Sequence, residues 1–84
     1  NFHLVILIDP ASKSDMEEAK ALNLRLVRRA LAMEGTCTGE HGIGLGKQAY
    51  LEEELGEAVD LMRDLKRTFD PENLLNPGKV VNLQ

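Results

Sequence analysis

Apolar side chains crowd the opening positions of the chain and then thin into a helical rhythm. In an extended backbone Phe2, Leu4, Ile6 and Ile8 fall on one side, and His3, Val5 and Leu7 on the other. Both sides are apolar apart from His3, and Asp9-Pro10 stops the run, which predicts a buried strand. Ser14-Asp15-Met16-Glu17 fits a capping box and opens a long helix. Its apolar stripe is Ala19, Leu22, Leu26, Ala30 and Met33, joined by Val27 and Leu31. Gly35 then stands where a left-handed cap residue is expected. Arg25, Arg28 and Arg29 suit the negative end of the helix dipole and read as a solvated face. Lys47 to Leu55 predicts a short helix ending at Gly56, and Ala58, Leu61, Met62, Leu65 and Phe69 stripe a further helix ended by Pro71. Asn76-Pro77-Gly78 predicts a turn, with a last short strand at Lys79 to Val81.

Composition narrows what such elements can build. Eighty-four residues make one small unit, 1–84, with no repeats and no internal linker. With no Trp, one Tyr and two Phe, its core must be aliphatic. A chain this short buries only about 60% of its unfolded surface, which leaves it marginal without a partner. The opening strand is apolar on both sides and begins at the first residue, without Met. It therefore predicts a piece of a longer chain that self-associates when isolated. A net charge of −4 argues against nucleic acid, and the longest apolar run, Leu4 to Ile8, falls far short of the roughly 20 residues that span a bilayer. Cys37 is the only cysteine, which excludes an internal disulfide and a cysteine-based zinc site; its small side chain reads as buried filling.

Candidate chemistry concentrates between Gly35 and Gly46, where five of twelve residues are glycine. The Walker phosphate loop does not fit: His41 stands where its first glycine belongs, and Gln48 follows Lys47. The dinucleotide fingerprint fails as well, since Lys47 occupies the place of the third glycine after Gly42 and Gly44. Glu40-His41 is the second possibility. Gly39 and Gly42 on either side permit unusual backbone angles and close approach by another molecule. A histidine can take a proton near neutral pH and a glutamate can bind a cation. On pattern alone, a glycine-rich surface turn carrying two polar residues accounts for the segment too, and such turns are common. His3 in a strand is by itself an ordinary structural residue; with Glu40 it makes two candidate ligands, one fewer than a catalytic zinc site usually takes from protein.

The segment Gly35-Thr36-Cys37-Thr38-Gly39-Glu40-His41-Gly42-Ile43-Gly44 resembles the signature of the FAD-linked oxidase C-terminal domain, found in flavin-dependent 2-hydroxy-acid dehydrogenases of the D-lactate dehydrogenase and glycolate oxidase type. Asp70-Pro71-Glu72-Asn73-Leu74-Leu75-Asn76-Pro77-Gly78-Lys79-Val80 resembles that family's ending, and Asn1-Phe2-His3 the close of its His-x-Gly-Asp-Gly-Asn-x-His strand. The resemblance implies an α+β fold: a truncated piece of a ferredoxin-like domain, helix-rich with a few short strands, lying on the substrate side of a flavin. It implies an FAD-binding domain upstream of Asn1 and no activity or FAD binding in these residues alone. His41 matches the family's active-site base, and His3 and Glu40 match ligands of a divalent metal such as zinc. The implied substrate is a small 2-hydroxy acid; Val5, where glutarate-type members carry a polar contact, favours lactate or glycolate. The implied location is cytoplasmic, or peripheral at the inner face of a respiratory membrane, and mitochondrial in a eukaryote. The electron acceptor is left open. Two other classes remain beside this one: a non-catalytic α+β interaction module with a glycine-rich binding loop, and a small metal-binding domain. Flavin absorbance in the intact protein separates the first from an oxidase.

Overall fold

The computed structural model describes residues 1–83. They form two compact units, Asn1–Glu40 and a second that begins at His41. Three helices run through them: α1 (Lys13–Ala32), α2 (Gln48–Leu55) and α3 (Ala58–Phe69). None is long and apolar enough to cross a membrane, among the described residues.

In the first unit, residues 2–8 lead into a tight turn. Asp9 Oδ1 accepts from the Ala11 N–H at 2.9 Å, and the Ser12 N–H donates to the Asp9 carbonyl at 2.9 Å. Helix α1 therefore starts earlier than the expected box at Ser14. Ser12 is its cap, its Oγ accepting from the Asp15 N–H at 3.2 Å, while the Asp15 carboxylate accepts from the Asp9 N–H at 3.0 Å. Ser12 and Asp15 also carry the spacing of a capping box, and the preceding turn presents that pair first.

The far end of α1 corrects a second expectation. Glu34, not Gly35, takes the left-handed conformation, at φ 62°. Its N–H donates to the Leu31 carbonyl at 3.0 Å and that of Gly35 to the Ala30 carbonyl at 2.8 Å, which together make a Schellman closure. Glycine is still needed at 35 for a different reason: a β-carbon there would stand 2.9 Å from the Ala30 oxygen. Of the stripe on α1, Val27 is buried while Leu22 and Met33 stay exposed.

The second unit has its core at Leu51, Val59 and Val81, with Ile43, Met62 and Leu83 packed against it. Helix α3 turns Val59 and Met62 to this core, whereas Leu61, Leu65 and Phe69 of the expected stripe remain exposed, Phe69 at 81%. Charged groups explain that rotation. Arg63 donates to the Asn82 carbonyl at 2.6 Å and pairs with Glu52 and with Asp60; Lys66 pairs with Asp70 and donates to the Leu75 carbonyl. These bonds draw the C-terminal residues onto the Val59–Met62–Lys66 side. Asp70 is buried and accepts from the N–H groups of Leu74 and Leu75, each at 2.9 Å.

No strand forms among the described residues, so the short strands of the expected α+β piece are absent here and the chain is helix-rich. A strand is defined by its hydrogen-bonded neighbour, and no described segment pairs with residues 2–8, where Val5 and Leu7 are 82% and 91% exposed. Lys79 to Val81 fails as a strand for another reason. The turn at Asn76-Pro77-Gly78 does form, the Lys79 N–H donating to the Asn76 carbonyl at 3.2 Å. Immediately after it the Val81 N–H donates to the Lys79 carbonyl at 2.8 Å around Val80 at φ 66°. That is a three-residue γ-turn of the rarer, left-handed kind.

Candidate functional site

The first unit brings two of the candidate residues together. After the Schellman closure the chain runs through Thr36, whose hydroxyl donates to the Thr38 carbonyl at 2.6 Å, and past Cys37, which is buried as its size suggested. At Gly39 the side-chain amide of Asn1 fills the space a β-carbon would need. This close approach sets the opening residues beside residues 39–40. His3 stands two positions along from Asn1. Its Nε2 lies 3.1 Å from Glu40 Oε1, with the two side chains 57% and 63% exposed. An imidazole nitrogen and a carboxylate oxygen are the donors that zinc and related divalent ions take, and both are reachable from solvent here.

His41 follows Glu40 directly and opens the second unit, exposed and in a turn. Gly42 has φ 78°, and a β-carbon on it would meet nothing within 4 Å, so the space beside Gly42 is open. Ile43 anchors the segment to the core, and the Gly44 carbonyl accepts from the Val80 N–H at 2.8 Å. The Gln48 side-chain amide donates to the same carbonyl at 3.4 Å and to that of Gly78. A shallow cavity of about 460 Å³ in this unit is lined by Met62, Leu75, Val80 and Val81 with Lys66 and Lys79, apart from His41.

Sequence reasoning missed two residues that shape the unit. Gln48 carries no recognisable signal, being one polar residue at a helix start. Asp70 did carry one: an aspartate at a helix end before proline is a common acceptor for the following N–H groups. The Lys66 ammonium, followed by the N–H groups of Leu74 and Leu75, holds its carboxyl down to about 2 from an ordinary 3.8.

Comparison with known proteins agrees with the three motifs. The family of "FAD linked oxidases, C-terminal domain" matches residues 1–80. Among curated relatives, a probable mitochondrial D-lactate dehydrogenase of Danio rerio is 55% identical over 84 residues, which cover 99% of this chain and 17% of the relative. The mitochondrial D-lactate dehydrogenase [cytochrome] of Arabidopsis thaliana is 52% identical over 82 residues, 96% of this chain and 14% of its own length. Glycolate oxidase subunit GlcD of Bacillus subtilis (strain 168) is 42% identical over 81 residues, 95% of this chain and 17% of the relative. This chain thus spans less than a fifth of each of those proteins, yet the match runs through nearly all of it. The chain belongs to the FAD-linked oxidase family, as part of its C-terminal domain.

Proposed function

We propose that this chain is the substrate-side part of an FAD-dependent dehydrogenase for small 2-hydroxy acids, D-lactate or glycolate. The FAD-binding domain precedes it in the same polypeptide, and residues 2–8 join strands of a ferredoxin-like α+β domain there. In a eukaryote the enzyme is mitochondrial. The observation that carries the reading is the His3–Glu40 approach at 3.1 Å with His41 next in the chain. A surface turn with two chance polar residues has no reason to bring a histidine from 37 positions away onto its carboxylate.

Oxidation of a 2-hydroxy acid removes the hydroxyl proton and a hydride from the adjacent carbon; bound FAD accepts the hydride and carries the redox step. The neutral imidazole of His41 accepts the hydroxyl proton, a contribution typically worth about 10²–10⁴-fold in rate. The open space beside Gly42 leaves room for the substrate to reach it. His3 and Glu40 would hold a divalent ion such as zinc, which would lower the pKa of the substrate hydroxyl. Val5, apolar, offers no partner for a second substrate carboxylate, in keeping with a monocarboxylate.

Stopped-flow flavin reduction in the flavin-loaded full-length protein tests these roles. His41→Ala slows reduction about 10²-fold or more with FAD still bound, because the lost base acts on the chemical step. Glu40→Ala lowers bound metal as well as rate. A His41→Ala protein that reduces its flavin at the parent rate would refute the assignment and leave the glycine-rich turn as a structural feature.

A further inference from the structure

We infer that Asn1 is a positioning residue for the His3–Glu40 pair, with Gly39 as the seat of its side chain. The inference rests on the reading of His3 and Glu40 as holders of a divalent cation. It starts from the reason for glycine at position 39. Gly42, with φ 78°, sits in the left-handed region that glycine adopts freely. Gly39 is not among the glycines of positive φ, so its φ does not call for glycine. What a larger residue there would lack is room. A β-carbon at 39 would overlap Asn1 Oδ1 and stand 3.0 Å from Asn1 Cγ and 3.6 Å from Nδ2, and these are the three nearest atoms it would meet. The two glycines that flank Glu40-His41 therefore serve different ends: Gly42 the bend of the chain, Gly39 the close approach of another residue.

The place of this contact makes it a positioning device. Glu40 follows Gly39 directly and His3 stands two residues after Asn1, with His3 Nε2 3.1 Å from Glu40 Oε1. The segment that carries Gly39 is tied down just before it. The Schellman closure ends α1, Cys37 is buried, and the Thr36 hydroxyl donates to the Thr38 carbonyl at 2.6 Å. Residues 1–3 approach that segment without forming a strand among the described residues, so no ladder sets the spacing. A carboxamide packed against a bare α-carbon limits how near the two segments come. Cation coordination tolerates an error of only about 0.2 Å in donor distance, so the spacing one or two residues from both donors is a sensitive quantity. Residues that orient cation ligands typically contribute about 10–100-fold in metal affinity.

The test is zinc titration of the flavin-loaded full-length protein, stripped of bound metal by a chelator. It compares the parent with Gly39→Ala, Asn1→Ala, the Asn1→Ala/Gly39→Ala double variant and Glu40→Ala. Gly39→Ala is expected to weaken zinc binding about 10–100-fold at unchanged flavin content. Asn1→Ala empties the seat and is expected to weaken it about 10-fold. The double variant puts a methyl where the carboxamide was, and is expected to bind zinc more tightly than either single variant, a coupling that only residues in contact show. Should Gly39→Ala fail to fold, the double variant against Asn1→Ala decides by the same rule. Either single variant binding zinc as the parent does, beside a weakened Glu40→Ala, overturns the positioning role alone. A double variant no tighter than the singles does the same, since a carboxamide that acted as a donor rather than by its shape would not be replaced by a methyl. Glu40→Ala binding zinc as tightly as the parent overturns both readings.

Discussion

The two units of this chain are held by different kinds of connection. In the first, apart from the exposed His3–Glu40 pair, the described bonds are short in sequence: Asp9 to Ala11, Ser12 to Asp15, Ala30 to Gly35. Its buried hydrophobic residues are Val27 and Cys37, while much of its apolar content stays at the surface. In the second unit, side chains reach far along the chain: Gln48 to Gly78, Arg63 to Asn82, Lys66 to Leu75. Val59 at its centre is 1% exposed. Apolar content alone therefore does not make a core. The richer stretch, Phe2 to Ile8, lies outside any core, whereas three modest aliphatic residues make one because polar bonds close the chain around them.

The contrast can be broken most directly by making the same small deletion in each unit. Val59→Ala removes two buried carbon groups at about 0.8 kcal/mol each and leaves a cavity, for a loss of about 2 kcal/mol. Val27→Ala, on a helix with few buried neighbours, is expected to cost about half as much. Chemical denaturation of the two variants decides, and equal losses would erase the distinction between the units.

A smaller effect follows from the Asp70 closure. Its carboxyl is held at about 2 in the folded chain against an ordinary 3.8, so the folded form binds that proton less readily. The stabilisation is complete above the ordinary value and drains away as pH falls through about 2. Parent and Asp70→Asn should differ most in denaturation midpoint at pH 5 and above, and converge as pH drops from about 4 to about 2. A difference that stays constant over that window would show that Asp70 acts by shape rather than by charge.

The smallest expected change is a gain. Glu34 occupies a left-handed backbone that costs an ordinary residue about 1–2 kcal/mol. Glu34→Gly removes that strain at a lesser entropic cost, and should stabilise the protein by about 0.5–1 kcal/mol. A loss in thermal melting would mean that the Glu34 side chain contributes something the cap geometry does not reveal.

What the sequence made legible divides along the same line. All three helices were expected close to where they form, because helical spacing and caps are local; even the start of α1 was misplaced by only two residues, at Ser14 instead of Ser12. His3 and Glu40 were grouped as candidate ligands by residue type, but only the resemblance implied a shared site, since 37 positions separate them and nothing in the spacing connects them. The strand at Lys79 to Val81 was misread because Val-Val favours extended backbone, and the competing bond from Val80 to Gly44 is invisible in a local window. The exposed side of α3 was misread because its stripe was drawn from apolar spacing alone, whereas Arg63 and Lys66 turn toward the tail they bind.

One feature of the first unit bears on inheritance. The Asn1 amide rests where a side chain at position 39 would begin. A lineage that replaced Gly39 by alanine would have to turn or shorten the Asn1 side chain, whose Oδ1 and Cγ the new β-carbon would otherwise meet. Substitutions at positions 1 and 39 are therefore not independent events. A shorter residue at position 1 is compatible with Gly39, whereas alanine at 39 is not compatible with Asn1 as it stands, so the order in which the two arise matters.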